Sequence, residues 1–217
     1  EMLRSLVGSE MCIRDRFVMV LSPYHVMTAR KEITGADSFK GLKLRTTGGT
    51  KEMAVELLGA TPISIPAPET REALSRGTID GVLFPHSSVL PYGLESQLKY
   101  GTEGINFGSF VASYVISEDR WRQLSPEVQQ AMIQAGEEVN HSACAMGEEF
   151  DMKDKKKMED AGVTFVSLPD ADKTQVEGKL ATIGEQWAKT LDGRGKPGTV
   201  IPEAFRDALA KQKAASN

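Results

Sequence analysis

The amino-acid sequence predicts an α/β fold built around a largely parallel sheet. Between residues 43 and 84, short apolar runs that stop at Gly or Pro alternate with short helical patterns. This alternation is typical of βαβ units, whose strands run parallel. In the second half of the chain, apolar residues recur at spacings of four and three from Val128 to Phe150. That spacing predicts one long amphipathic helix beside the sheet.

Each element follows from an apolar run and the residues that punctuate it. Strands are expected at 17–21, 43–46, 63–65, 79–84, 110–117 and 163–168. Helices are expected at 50–58, 68–75, 126–161 and 176–191, with a last short helix around Phe205 and Leu209. The clearest helix start is Ser125-Pro126, because Ser caps free backbone N–H groups and Pro is favoured at the first helical position.

Composition argues against several classes of function. The chain has 217 residues, 40% hydrophobic and 26% charged, which is typical of a soluble globular protein. Its net charge of −4 provides no basic field for nucleic acid or an anionic membrane. No apolar run approaches the roughly 18 to 20 residues of a membrane span, so direct membrane insertion is not expected. Two cysteines, Cys12 and Cys144, are too few for a disulfide framework.

Residues 1–16 do not continue these patterns. They lack the apolar stretch and the small-residue cleavage site of a signal peptide. The run SLVGSEMCIRD resembles translated adapter sequence found at the ends of some assembled reads. We therefore expect residues 1–16 to be foreign to the fold and disordered; a natural short helix is the alternative.

Arg45 is the first candidate for a binding residue. It closes a short strand just before Gly48-Gly49 and the start of a helix. Its side chain is therefore expected in the crevice at the carboxyl edge of the sheet, where ligands of open α/β folds bind. A guanidinium group there can donate two parallel charged hydrogen bonds to a carboxylate. Spacing alone also allows a solvated or ion-paired surface arginine.

The three histidines, His25, His86 and His141, are scattered and form no H-x-x-x-H pair. We therefore predict no metal site and no cofactor. His25 and His86 follow expected strand ends, which makes them candidates for the crevice, although such histidines are more often structural. Ser87 and Ser88 beside His86 lack the G-x-S-x-G pattern of a nucleophile, and no catalytic residue is predicted.

Four segments, in this order and spacing, resemble the solute-binding proteins of tripartite ATP-independent periplasmic (TRAP) transporters. They are FKGLKLR at 39–45, LGATP at 58–62, ALSRGTIDG at 73–81 and WRQLSPE at 121–127, the last followed by the long helix. The resemblance covers about residues 17–217. It implies a periplasmic-binding-protein-like fold of the two-lobe type II-like kind, with ligand held between two α/β lobes. Such proteins are not enzymes.

The resemblance also implies a location and partners. Family members are periplasmic, capture a small organic carboxylate and deliver it to the membrane permease subunits of the transporter. They are longer than this chain, so most of the first lobe and the signal peptide are expected to be missing. The implied division assigns 17–109 and 150–217 to the second ligand-binding lobe. Residues 110–149 then form a hinge strand and the long helix that extends towards the first lobe.

Carried over position by position, the resemblance makes Arg45 the residue that grips the ligand carboxylate. His25 falls near a second ligand-facing position, which is often Arg in the family. Phe84 stands where several members have a polar residue such as Asn. That difference favours a ligand with an apolar or aromatic flank over a sialic-acid-like polyol. Thr46, beside Arg45, and His86, after the strand of Phe84, complete the predicted ligand-binding set.

Two departures from the family pattern leave the shape of the pocket open. Thr47 replaces a frequent Pro, and Arg71 replaces a frequent Tyr. Other classes of function also stay open. An ATP-driven solute-binding protein and a ligand-sensing module share the two-lobe architecture. An enzyme on a similar α/β scaffold is opposed by the missing catalytic constellation.

Overall fold

The computed structural model describes residues 13–215. The strands are β1 (Ile13–Val20), β2 (His25–Thr28), β3 (Lys43–Thr46), β4 (Thr61–Ser64), β5 (Gly81–Phe84), β6 (Tyr100–Glu103), β7 (Val111–Ser117) and β8 (Thr164–Ser167). The α-helices are α1 (Thr50–Leu57), α2 (Thr70–Ser75), α3 (Glu118–Arg122), α4 (Pro126–Asp160), α5 (Asp170–Ala181), α6 (Ile183–Asp192) and α7 (Val200–Ala215). Short 3-10 helices lie at Ala36–Phe39, Ala67–Glu69, His86–Ser88 and Leu90–Tyr92.

The main sheet has six strands in the order β4-β3-β5-β2-β6-β8. Strand β3 pairs parallel with β4 and β5, and β6 pairs parallel with β8. Strand β2 is the reversed one, because it pairs antiparallel with both β5 and β6. The predicted α/β class and the largely parallel sheet are confirmed.

Two strands of the sheet were not expected from the sequence. Strands β2 and β6 have four residues each, with the sequences HVMT and YGTE. Neither is an apolar run, and both are too short for an alternating pattern to stand out. They are strands because neighbouring strands supply their hydrogen bonds, so tertiary context decides their conformation.

The two faces of the sheet carry separate apolar clusters, as strand alternation requires. Val26, Leu44 and Leu83 belong to the first cluster, which also contains Val55 of α1 and Val176 of α5. The other face carries the second cluster, with Met27, Val82, Phe84, Leu74 of α2 and Met158 of α4. Helices therefore cover both faces, which explains why the short central strands β3 and β5 are buried.

The predicted long helix is confirmed as α4, an unbroken helix of 35 residues. Its N-terminus is capped as expected: the Ser125 hydroxyl accepts a hydrogen bond from the backbone N–H of Val128 at 3.4 Å. At 1.5 Å per residue the helix extends about 50 Å. It packs against β1 and the 3-10 helix His86–Ser88, so it runs past the end of the sheet where that turn lies.

Strand β1 pairs antiparallel with β7 in a separate two-stranded ribbon, from Ile13 opposite Ser117 to Val20 opposite Val111. The expected disorder of residues 1–16 is therefore wrong for 13–16, whose backbone pairs with the end of β7. That pairing needs only backbone groups and no apolar periodicity, which is why the sequence did not indicate it. Residues 1–12, and Cys12 with them, lie outside the described residues.

The C-terminal helices differ from expectation in their limits. The helix expected at 176–191 is divided at Thr182 into α5 and α6. The Thr182 hydroxyl donates to the carbonyl of Lys179 at 2.8 Å, a local bond of the kind that competes with helix continuation. The last helix, α7, has 16 residues and is longer than predicted.

Candidate ligand-binding site

The carboxyl ends of the parallel strands meet at one edge of the sheet, and three predicted site residues lie there on neighbouring strands. Arg45 is near the end of β3, Phe84 ends β5, and His25 begins the reversed strand β2. His25 lies directly opposite Phe84, and Arg45 lies opposite Val82. Because directly paired residues project from the same face, the three side chains share the face of the second cluster.

The Arg45 guanidinium is buried, and the residue is only 3% exposed. Its Nε donates a hydrogen bond to the carbonyl of Ile65 at 3.0 Å, and its central carbon lies 4.3 Å from the centre of the Phe84 ring. Burial lowers the pKa of Arg45 from its usual value. Among the side chains that the structure describes, no carboxylate forms an ion pair with it. A buried cation with free N–H donors and no anionic partner suits an anionic ligand.

Aromatic rings surround this cation. Phe84 is buried, and its ring centre lies 6.5 Å from that of Tyr24 and 6.0 Å from that of Tyr92. Burial raises the pKa of the Tyr24 phenol, against a smaller opposite effect of the Arg45 charge. If a carboxylate bound at Arg45, the group attached to it would therefore contact these aromatic rings.

His25 and His86 form a stacked pair beside this site. Their ring centres are 4.0 Å apart and their planes differ by 8°. The Nδ1 of His86 lies 2.9 Å from Oδ2 of Asp151 on α4, and the backbone N–H of Ser87 donates to Oδ1 at 3.3 Å. His25 Nδ1 and His86 Nε2 are buried and have no hydrogen-bond partner among the described residues.

The electrostatics of this pair follow from burial. Desolvation, and then the charge of His86, lower the pKa of His25 to about 4, so its ring is neutral at neutral pH. For Asp151, burial alone would raise the pKa, but the interactions with His86, the backbone N–H of Ser87 and His25 together outweigh burial, and the net pKa is lowered. Asp151 therefore stays ionised and accepts the His86 hydrogen bond.

Thr46 is placed differently from the other predicted site residues. It is fully buried, and its hydroxyl has no hydrogen-bond partner among residues 13–215. Strand alternation puts it on the face of Leu44, opposite to that of Arg45. The structure therefore brings together Arg45, Phe84, His25 and His86 and leaves Thr46 on the other side of the sheet. Its role as a ligand contact stays a prediction.

Sequence reasoning missed three side chains near this edge: Tyr24, Lys51 and Asp151. Lys51 lies in the first turn of α1 and is buried; its Nζ donates to the carbonyl of Ser109 at 3.0 Å and lies 4.5 Å from the centre of the Tyr24 ring. Its position two residues after Gly49, in the first turn of the helix that follows the strand of Arg45, could have indicated it. Asp151 gave no such signal, because it stands in a run of charged residues typical of a solvated helix face.

Only one group of side chains in the described chain could offer three ligand atoms to a metal ion. His25, His86 and Asp151 have potential ligand atoms within 4.8 Å of one another. The lone pairs of an imidazole lie in the plane of its ring, so two nearly parallel rings cannot direct them at one ion. One ring would have to turn before both histidines could bind a metal.

A cleft of about 330 Å³ lies next to the histidine pair, between the end of β1 and helix α4. Its walls are mostly apolar and include Val20, Ala143, Met146 and Phe150, with Ser87 at the side of His86. Val20, Met146 and Phe150 are each about half exposed, at 48%, 49% and 50%. Exposed large apolar side chains that share one surface indicate that another part of a protein covers it.

The mixed sheet, the cation at its carboxyl edge and the long flanking helix define an α/β protein of the periplasmic-binding-protein class. The family model DctP, described as bacterial extracellular solute-binding protein, family 7, matches residues 23–190. The chain belongs to this family. In the part of the chain that the structure covers, no helix combines the length and the apolar character that crossing a membrane requires.

Known relatives agree with this assignment. The chain is 26% identical over 170 residues to the C4-dicarboxylate-binding periplasmic protein DctP of Rhodobacter capsulatus, covering 77% of this chain and 51% of that protein. It is similar to the crystal structure of a TRAP periplasmic solute-binding protein from Bordetella bronchiseptica with bound (R)- and (S)-mandelate. The TM-score is 0.78 at 26% identity, covering 92% of this chain and 64% of that one.

A marine metagenome TRAP solute-binding protein specific for aromatic acids, in complex with metahydroxyphenylacetate, shares the fold. Its TM-score is 0.82 at 24% identity, with 91% of this chain and 64% of that chain covered. The family and the structural neighbours are transporter solute-binding proteins, not enzymes. The chain spans about half the length of the curated relative and under two thirds of these solved structures.

Proposed function

We propose that this protein is the periplasmic solute-binding component of a TRAP transporter and that it captures a small organic carboxylate. The observation that carries the proposal is Arg45. A guanidinium that is 3% exposed and has no carboxylate partner among the described side chains is destabilising unless an anion pairs with it. Its planar fork matches a carboxylate, which fits a binding role better than a structural one.

The surroundings of Arg45 favour an acid with an aromatic or apolar flank. The Phe84 ring lies directly under the guanidinium, with Tyr24 and Tyr92 next to it. A flat apolar group attached to the carboxylate would pack against these rings, whereas a polyol would bury its hydroxyls without partners. The mandelate and metahydroxyphenylacetate bound by the two structural relatives support this preference.

Lys51 favours a second candidate, a dicarboxylate. It is another buried cation without a carboxylate partner in the described chain, and it is separated from Arg45 by the rings of Phe84 and Tyr24. Burial lowers the pKa of Lys51. A ligand with two anionic ends could compensate both cations, in line with the C4-dicarboxylate named for the Rhodobacter relative.

The rest of the proposal concerns the whole protein. Residues 17–109 and 150–217 would form the second ligand-binding lobe, while 110–149, with β7 and most of α4, would form the hinge and reach towards the first lobe. The half-exposed apolar residues beside the cleft support a covering lobe at that place. The ligand, Arg45 and Phe84 would then lie between the lobes, and the loaded protein would dock on the membrane permease subunits. No catalysis is involved.

A matched pair of ligands tests the carboxylate assignment. Thermal-shift screening and calorimetric titration of the complete gene product should show binding of mandelate or benzoate and none of mandelamide or benzamide. The amides keep the ring and the shape but lack the charge that Arg45 would pair with. Equal affinity for acid and amide would contradict the proposal.

The same titrations decide between the two ligand classes. Lys51→Met should leave the binding of an aromatic monocarboxylate within threefold of wild type. If the ligand is a dicarboxylate such as succinate or malate, the same variant should weaken its binding by at least about tenfold.

A further inference from the structure

We propose that Asp151, on the long helix α4, is a positioning residue of the ligand site and that the His25–His86 pair it orients takes up a proton when an organic acid binds. This inference rests on the proposed function.

The contacts of Asp151 connect the long helix to the edge of the sheet. Its Oδ2 lies 2.9 Å from Nδ1 of His86, and its Oδ1 accepts the backbone N–H of Ser87 at 3.3 Å, across some 65 residues of sequence. An ionised carboxylate only accepts hydrogen bonds, so it holds the proton of the His86 ring on Nδ1. Buried Nε2 has no partner in the described chain.

The plane of His86 in turn determines that of His25. Phe165 packs edge-on against His86, with ring centres 5.1 Å apart and planes at 87°, while His25 stacks on His86 at 4.0 Å. His86 is therefore held by Asp151 at its edge and by rings at its sides. His25 lies directly opposite Phe84 in the sheet, and its ring is parallel to that of His86 because the two rings stack. Asp151 thus acts on the ligand site through two rings without reaching the ligand.

The charges around His25 make the pair responsive to an anion. The groups that act on it are His86 after β5, Asp151 and Lys155 on α4, and Glu103 on β6. Lys155 is ion-paired with Glu103 and Glu159, so its charge is largely compensated. Asp151 is the one carboxylate bonded to the histidine pair among these groups.

Burial keeps His25 neutral in the ligand-free protein, with a pKa of about 4. A nearby opposite charge shifts a pKa by about 1 to 3 units towards the charged form. A bound carboxylate close to His25 would therefore raise the pKa of His25 above its ligand-free value. The proton would come from the solvent, and it would neutralise part of the added negative charge.

The affinity for an organic acid should depend on pH. Because the complex holds the proton more tightly than the free protein, affinity rises as pH falls through the pKa of the complex. Arg45 stays charged throughout, so it contributes no change between pH 5.5 and 8. Replacing Asp151 removes the carboxylate that favours protonation of the pair, and the proton uptake should move to lower pH.

The test is calorimetric titration of the complete gene product with (R)-mandelate at pH 5.5 and pH 8.0, in two buffers of different ionisation enthalpy. Wild type should take up a measurable fraction of a proton at pH 5.5 and none at pH 8.0. Asp151→Asn should lose that uptake and bind about tenfold more weakly at pH 5.5, the factor that one pKa unit represents, with a smaller loss at pH 8.0. Asp160→Asn, an exposed acid paired with Lys156 on the same helix, is the control and should match wild type.

A second measurement does not depend on ligand or on a variant. Nitrogen NMR of the histidine rings in the ligand-free protein at pH 7.5 should show His86 protonated at Nδ1. Protonation at Nε2 alone would overturn the positioning role. If mandelate binds and binding requires Arg45, but wild type takes up no proton and Asp151→Asn equals Asp160→Asn, this inference fails and the proposed function survives. If neither mandelate nor another organic acid binds, both fail.

Discussion

Replacing Arg45 removes the group on which the proposed ligand class depends, and the expected loss can be worked out from its burial. The guanidinium is 3% exposed, one N–H is used by the Ile65 carbonyl, and the group lies on the Phe84 ring. A ligand carboxylate paired there would be desolvated. Losing one member of a buried, hydrogen-bonded charge pair costs about 2 to 5 kcal/mol, or roughly 30-fold to several-thousand-fold in affinity for Arg45→Ala.

Two further substitutions separate charge, geometry and packing. Arg45→Lys keeps the charge but offers a single ammonium in place of the fork, so we expect a loss of at least about tenfold. Arg45→Met keeps much of the side-chain length and removes a buried cation that has no carboxylate partner in the described chain. The ligand-free Arg45→Met protein should therefore melt at or above the wild-type temperature while binding falls as for Ala.

The assay is calorimetric titration of the complete gene product with an organic acid found by thermal-shift screening. Arg76→Ala is the matched control, because Arg76 is exposed and its Nη2 pairs with Glu72 at 2.6 Å on the surface of α2. Such pairs contribute little, so the control should bind as wild type does. If folded Arg45→Ala binds within a factor of three of wild type, Arg45 does not hold the carboxylate.

Two other predictions concern the backbone and the proposed first lobe of the clamp. An added Cβ at Gly81 would lie 2.4 Å from the carbonyl oxygen of Met27. Gly81→Ala should therefore displace β5 and lower the free energy of unfolding in urea by about 1 to 3 kcal/mol. Gly178→Ala is the control and should be neutral or slightly stabilising, because an added Cβ there has nothing within 4 Å. The 217-residue chain alone should bind an acid at least about 100-fold more weakly than the complete gene product, because a clamp buries ligand on both sides; equal affinities in calorimetry would contradict the two-lobe proposal.

The elements that the sequence predicted well are those whose conformation is determined locally. The start of α4 follows from Ser125-Pro126, and its length follows from an apolar stripe that stays in register over many turns. The βαβ part, from β3 to β5, follows from apolar runs separated by Gly and Pro. Arg45 could be predicted as a site residue for the same reason: its position at the end of a strand determines the edge of the sheet on which it lies.

What the sequence could not show depends on distant neighbours. Strand β2 is a strand only because β5 and β6 lie on either side of it. Asp151 reaches His86 across 65 residues, and nothing in a charged helical run distinguishes it from its solvated neighbours. Thr46 is adjacent to Arg45 in sequence but projects from the opposite face of the strand, and its role as a ligand contact stays a prediction.

The low pKa of His25 leads to a last prediction, on acid stability. Unfolding returns the ring to its usual pKa of about 6.5, whereas the folded protein holds it near 4. The unfolded chain therefore binds more protons between these values, and stability falls as pH drops from about 6.5 to 4, by at most about 3 kcal/mol from this group. Asp151, whose pKa is lowered, loses its contribution only at more acid pH.

In His25→Gln, the free energy of unfolding in urea should change clearly less over this pH window than in wild type. Saturating organic acid should have the opposite effect in wild type, because a bound carboxylate favours the protonated ring, so the ligand-induced gain in stability should increase as pH falls. Equal slopes for wild type and His25→Gln, with and without ligand, would show that His25 is not the titrating group.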